Sequence, residues 1–299
     1  MSTERAIQDL FKYGVKFLPC MIETEKLTKR YSDGNYALRE LDISASEKVT
    51  AIIGRNGAGK TTLIRILSTQ LLPTSGTARV NGMDVITEAG SIRKSIVSIP
   101  QEAAPIGILT AFEQVKLYLV GRGMSFKEAA QSASMALDEL DLREAKHYPT
   151  DTLSGGMKRK MFVAMALAAN AEVVFLDEPT TGLDPISRLE VWSAIRRIGS
   201  TVILTTHYME EAEQLSNEVI LVDHGRSLEQ GTPADLLFRF RGKIRVEING
   251  QCQDCIHIGS LSIKYVNREM ADRYIDMGFA IRPITLEDIF ISRGVSIES

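Results

Sequence analysis

Cysteine is scarce in this chain. There are 3 in 299 residues, and Cys20, Cys252 and Cys255 are spaced too unevenly to describe a disulfide framework. Long apolar runs are missing too. The most apolar stretch, MFVAMALAANAEVVFL, is interrupted by Asn170 and Glu172 and is too short to span a bilayer, so it reads as a buried helix followed by a buried strand. There is no excess of basic charge: a formal net charge of -3 gives none of the field that holds nucleic acid by its phosphates, which argues against a nucleic-acid partner. The opening MSTERAIQDLFKYGVKFLPC lacks the apolar core and small-residue cleavage site of a signal peptide, so a cytoplasmic chain is expected. Any service to a membrane would then go through another protein or the lipid surface. No internal repeat or low-complexity segment is evident.

The chain does contain 44% hydrophobic residues, enough for a sizeable core, and its length suggests one main domain with an appendage. Four runs, VTAIIG (49–54), IVSI (96–99), VVFLD (173–177) and TVILTT (201–206), are apolar on both faces and alternate with helical stretches. That pattern predicts an α/β class with a parallel sheet covered on each side. Residues 21–43 alternate with period two around SDGN, as an antiparallel β subdomain would. Between about 104 and 156 lies a helical arm with two capping boxes, TAFE (Thr110–Glu113) and SFKE (Ser125–Glu128), separated by GRG. The expected division is an extension over 1–20, a main domain over 21–240 and an accessory α+β tail over 241–299.

Two stretches carry chemistry by residue type and spacing. GRNGAGKTT places Gly54, Gly59, Lys60 and Thr61 in the pattern G-x-x-x-x-G-K-[ST], after an apolar run and at the start of a helix. Backbone N–H groups from Gly54 through Asn56, Gly57, Ala58 and Gly59 to Thr62 can converge on phosphate oxygens, and the helix N-terminus adds positive potential. Lys60 would reach the β and γ phosphates and Thr61 would give its hydroxyl to Mg²⁺. VVFLDEP ends an apolar strand in two carboxylates at the edge where an open sheet presents its ligand. Asp177 suits a contact to Mg²⁺, and Glu178 is placed to polarise a water for attack on the γ phosphate. A third stretch, DTLSGGMKRK (151–160), raises a difficulty. Ser154 as an N-cap and Gly155 and Gly156 as a tight turn explain its local structure, yet not why a second anion cradle follows a complete first one.

In order along residues 21–240, these motifs together with PTTGLDP resemble the ATP-binding subunits of ABC transporters. The resemblance implies a RecA-like P-loop NTPase core with an antiparallel β subdomain and a helical subdomain, binding ATP and Mg²⁺. It implies that adenine stacks on Tyr31, that Gln101 touches Mg²⁺ or the attacking water and hinges the helical arm, and that His207 hydrogen-bonds the γ phosphate. It gives Asp184, before Pro185 and so also an ordinary N-cap, a contact to the neighbouring subunit. The second cradle is resolved in the same way: Ser154, Gly155 and Gly156 would close on ATP bound to the opposite subunit of a head-to-tail dimer. Met157 departs from the commonest form of that motif, which has glutamine there, and cannot donate an amide hydrogen bond.

From the resemblance follow an ATPase, a second ATPase subunit as partner in a homodimer, a separate transmembrane permease, and a place on the inner face of the cell membrane. RPITLEDIFI, a capped helix by its residues, resembles the C-terminal segment of single-cassette drug-exporter ATPases and favours export. The alternative is a soluble ABC ATPase acting on a cytosolic assembly such as an iron-sulfur scaffold. CQDCIH offers Cys252, Cys255 and His257 as metal ligands or a redox pair, against the simpler expectation of a turn between two strands. Ile7, Leu10, Phe11, Val15 and Leu18 fall at helical spacing, an amphipathic stretch expected to pack on the chain's own body.

Overall fold

The computed structural model describes residues 21–293, so the helical stretch expected within the first 20 lies outside the described residues. The chain opens with β1 (Ile22–Arg30), β2 (Tyr36–Ala45), β3 (Val49–Ile53), α1 (Lys60–Leu67), β4 (Ser75–Val80), β5 (Met83–Asp84), α2 (Ala89–Ser95) and β6 (Ile96–Ile99). Next come α3 (Ala111–Gly121), α4 (Phe126–Glu139), α5 (Gly155–Ala168), β7 (Val173–Asp177), α6 (Pro185–Arg197), β8 (Thr201–Thr206) and α7 (Met209–Leu215). The remainder is β9 (Glu218–Asp223), β10 (Arg226–Gly231), α8 (Pro233–Leu237), β11 (Lys243–Asn249), β12 (Ile256–Ile258), β13 (Leu261–Asn267), α9 (Ala271–Asp276), β14 (Ala280–Arg282) and α10 (Glu287–Ser292).

The central sheet has the order β10-β9-β3-β8-β7-β6, with β9, β3, β8, β7 and β6 parallel and β10 antiparallel at its edge. All four strands predicted from the sequence are in it. Their side-chain period of two divides them between two cores. Val49, Ala51, Ile53, Val174, Leu176, Val202 and Leu204 join the cluster under α3 to α7, while Ile52, Val173, Phe175 and Ile203 join the cluster under α1 and the β subdomain. This is why the runs carry apolar side chains on both faces. Each such side chain stabilises the fold by about 1.5–3 kcal/mol on burial, and truncating Phe175, at 0% exposure, to alanine would cost about 3–5 kcal/mol.

Around SDGN, β1 and β2 form the expected antiparallel pair within a sheet of order β2-β1-β4-β5. Both predicted capping boxes are formed: Thr110 Oγ1 accepts from the Glu113 amide at 3.1 Å, Ser125 Oγ from that of Glu128 at 3.3 Å, and each glutamate accepts the return bond. They start α3 and α4, which pack on one another and on α5. Beyond residue 240 an antiparallel sheet of order β12-β13-β11-β14 carries α10, whose Ile289 and Phe290 share a core cluster with Leu215 and Phe240. Helix α10 spans Glu287–Ser292, and Thr285, just before it, donates its amide to Asp288 Oδ2 at 2.8 Å, as in the return bond of a capping box. No helix among the described residues is long and apolar enough to cross a membrane.

Candidate functional site

Parallel strands end at one edge of a sheet, and here that edge assembles the site. Gly54 follows β3, Gln101 stands two residues after β6, Glu178 follows β7 and His207 follows β8. A cavity of about 570 Å³ lies there, lined by Asn56, Gly57 and Gly59 to Thr62 of the first cradle and by Ala37, Gln101, Glu178, Thr181 and His207.

The glycines of the first cradle are required by their own surroundings. A Cβ on Gly54 would stand 2.2 Å from the Val222 carbonyl oxygen, and one on Gly59, where φ is +102°, would stand 2.3 Å from the Ala37 carbonyl oxygen. Lys60 opens α1 with 5% exposure; its Nζ donates to the Gly54 carbonyl at 2.8 Å and to that of Arg55 at 3.1 Å, and lies 3.6 Å from Glu178 Oε1. Burial lowers the Lys60 pKa from its ordinary value, with the Glu178 charge opposing.

Glu178 is the hub. Its Oε2 accepts from Gln101 Nε2 at 3.1 Å and from Thr181 Oγ1 at 3.0 Å, and lies 3.1 Å from His207 Nδ1. Its amide donates to the Thr205 carbonyl and to Thr205 Oγ1, both at 3.1 Å. The backbone there is left-handed, with φ +48°, a conformation that costs a residue with a side chain on the order of 1–3 kcal/mol and that turns the chain sharply out of β7. Asp177, at 2% exposure, sits behind the cavity wall, with Oδ1 accepting from Thr205 Oγ1 at 2.5 Å. Tyr31 Oη lies 3.2 Å from Thr62 Oγ1, which puts the aromatic ring beside the first cradle.

The second cradle lies elsewhere. Ser154 caps α5, accepting from the Met157 amide at 3.2 Å, and neither it nor Gly155 nor Gly156 lines the cavity. Asp184 caps α6, accepting from the amides of Ile186 and Ser187 at 3.1 and 3.0 Å; bonds from Ser187 and Ile186 hold its carboxyl below its ordinary value. Tyr31, Asn56 to Thr62, Gln101, Glu178 and His207 are thus brought together with Asp177 behind them, whereas Ser154, Gly155, Gly156 and Asp184 do not line that cavity. One side chain joins the two regions: Arg159, on α5, donates to the Gln101 carbonyl at 2.9 Å, its pKa lowered by burial against the opposing charges of Asp177 and Glu178.

Sequence reasoning missed Thr181, Thr205 and Arg159. The first lies within PTTGLDP and the second within TVILTT, where a hydroxyl in an otherwise apolar strand was the available signal. Cys252 and Cys255, offered by the sequence as metal ligands or a redox pair, are joined by a disulfide between β11 and β12. His257 Nδ1 lies 2.8 Å from Ser262 Oγ, and among the described residues no group of three or more His, Cys, Asp or Glu is placed to hold a metal ion.

The donor set fits a triphosphate with Mg²⁺: a glycine cradle that admits no Cβ at Gly54 or Gly59, a buried ammonium, and hard oxygen atoms on Thr61, Asp177 and Gln101 that could hold the metal. The profile described as ABC transporter matches residues 39–181. Over 221 residues the chain is 42% identical to the daunorubicin/doxorubicin resistance ATP-binding protein DrrA of Streptomyces peucetius, a match that takes in 72% of this chain and 66% of that protein. It is 40% identical to DrrA3 of Streptomyces coeruleorubidus over 231 residues, 76% of this chain and 72% of that one. A solved ATP-binding cassette, dimeric in a post-hydrolysis state with ADP and Pi, superposes with a TM-score of 0.65 at 26% identity, over 71% of this chain and 98% of that one. The ATP-binding subunit of an ABC transporter does so with 0.66 at 25% identity, over 74% and 93%.

Proposed function

The chain belongs to the ABC transporter family, as an ATP-binding cassette, and on that premise we propose that two copies close head to tail around two ATP to drive export through a separate membrane subunit. The observation that carries this is the Glu178 carboxylate, held at the mouth of the first cradle by Gln101 and Thr181 and facing Lys60 and His207. In this arrangement Asn56 to Thr62 bind the phosphates, Lys60 places its charge on the β and γ positions, and Tyr31 supports the base. Glu178 orients and polarises the attacking water, and His207 donates to the γ phosphate. Mg²⁺, held by Thr61 with Asp177 and Gln101, would supply charge neutralisation to the phosphates.

Ser154, Gly155 and Gly156 lie outside their own cavity because they serve the nucleotide of the other copy, and Asp184 meets that copy at the same seam. Hydrolysis takes the γ phosphate away from this second cradle and releases the seam. The names of the two Streptomyces relatives, one specifying daunorubicin/doxorubicin resistance and the other daunorubicin resistance, support drug export as the output. The working place of such a subunit is the inner face of the cell membrane, against its permease. We divide the chain accordingly into a cassette over 21–240 and an accessory unit from 241 onward.

Replacing Glu178 by glutamine tests the assignment. Glu178→Gln keeps the shape and loses the base, so turnover should fall about 10²–10⁴-fold while ATP binding persists and a dimer accumulates in sedimentation with MgATP. Turnover at the parent rate would remove Glu178 from the base role.

A further inference from the structure

Glu211 lies on α7, in the turn after His207, and is fully buried at 0% exposure. A single oxygen, Oε1, accepts from Thr180 Oγ1 at 2.7 Å and from Trp192 Nε1 at 3.1 Å. The three residues belong to three separate segments. Thr180 follows Glu178 by one intervening residue, Trp192 is on α6, the helix that Asp184 caps, and Glu211 is on the helix that His207 precedes. Glu211 Oε2 and Arg188 Nε are both buried without a hydrogen-bond partner. The Arg188 guanidinium lies 4.6 Å over the Tyr208 ring, whose centroid is 4.1 Å from that of His207.

Burying a carboxylate here is costly. Desolvation pushes its pKa above the ordinary value, and an apolar side chain of similar size would fill the space without that penalty. The return on that cost is geometric, because an acceptor with two donors from different elements fixes both elements against the third. We propose that Glu211 is a positioning residue for hydrolysis, holding Thr180 and Trp192 on one oxygen so that His207 and Asp184 keep their places relative to Glu178. It touches neither nucleotide nor water. It acts through the segments that do, and it rests on the roles given above to Glu178 and His207. A displacement of about 1 Å at a reacting group costs about 10²-fold in rate, so the loss should appear in the chemical step and not in ATP affinity, which the first cradle sets.

The experiment measures kcat and KM for Glu211→Leu, Glu211→Gln, Thr180→Val and the double variant Glu211→Leu with Thr180→Val, each normalised to nucleotide bound per folded chain. Glu211→Leu should lower kcat about 10- to 100-fold with KM and ATP affinity within about threefold of the parent. Glu211→Gln, whose amide oxygen can take both donors, should restore kcat to within about threefold. Thr180→Val should cause a smaller loss, and the double variant should be no slower than Glu211→Leu alone, since both remove one interaction. If Glu211→Gln is as slow as Glu211→Leu, if affinity falls in step with turnover, or if the two losses add, the proposal is overturned. Should Glu211→Leu fail to fold, Thr180→Val decides in its place: a fall in kcat alone supports the proposal and an unchanged kcat overturns it. Glu178→Gln in the same assay keeps the two ideas apart. An active Glu178→Gln removes the premise, and an inactive one beside a fully active Glu211→Leu removes only the fastener.

Discussion

The two glycine turns of this chain look alike in sequence and differ in what demands their glycines. In the first cradle the demand comes from inside: Gly54 and Gly59 stand against the carbonyls of Val222 and Ala37, and Gly59 adopts a φ of +102°. In the second, a Cβ on Gly155 would meet nothing within 4 Å, and one on Gly156 would make ordinary contact with Leu183 at 3.4 Å. Glycine in a helix costs stability relative to alanine, and α5 begins with two of them and gains nothing from its own chain in return. The difference teaches that the first turn is shaped by the fold, whereas the second is open to a ligand that the fold does not supply.

The sharpest way to break this comparison is to add one methyl group to each turn. At Gly59 alanine meets both a carbonyl oxygen and a left-handed backbone, so Gly59→Ala should lose on the order of 3 kcal/mol in a urea melt and bind nucleotide at least about tenfold more weakly. Unchanged nucleotide affinity in that variant would place the phosphates elsewhere. At Gly155 the sign reverses. Alanine fits the helix and restricts the unfolded chain, so Gly155→Ala should raise stability by about 0.4–1 kcal/mol. The same variant should still lower the ATP-dependent dimer fraction and the ATPase rate, because in the proposed head-to-tail closure the methyl group stands where the phosphate of the other copy approaches. A stabilised variant with full activity would show that this turn receives no ligand.

Much of this was legible in the sequence for a simple reason: strands buried on both faces are apolar at nearly every position, and VTAII and VVFLD are, apart from Thr50 and the site carboxylate Asp177. The first cradle and Glu178 were legible because a parallel sheet delivers strand ends to one edge. β9 and β10 were passed over although the VILV of β9 is as apolar as the predicted strands, because its partner RSLEQG is polar and carries no apolar alternation to flag a hairpin. CQDCIH left a metal site, a redox pair and a plain turn open, because only the fold sets the distance between the two thiols. Glu211 was the least legible. In YMEEAE two adjacent glutamates read as a solvated helix face, and only the packing of α7 on α6 decides that Glu210 stays outside the core while Glu211 enters it.

That burial supplies the smallest and most specific effect. Desolvation raises the Glu211 carboxyl above its ordinary 4.5, while hydrogen bonds from Thr180 and Trp192 and the charge of Arg188 work against the rise. Below 4.5 both folded and unfolded chains hold the proton and the group is neutral in each. As pH rises above 4.5 the unfolded chain releases its proton first, the folded chain keeps its own, and stability falls through that window until the folded group has also ionised. Glu211→Gln has no such titration. Glu213, raised by burial as well, titrates in both proteins and cancels. The melting temperature of Glu211→Gln relative to the parent should therefore climb from pH 4.5 upward and then level off, in paired thermal melts across that range. A flat difference would mean that Arg188 and the two donors fully compensate the charge, and that the carboxylate is held in the core without electrostatic cost.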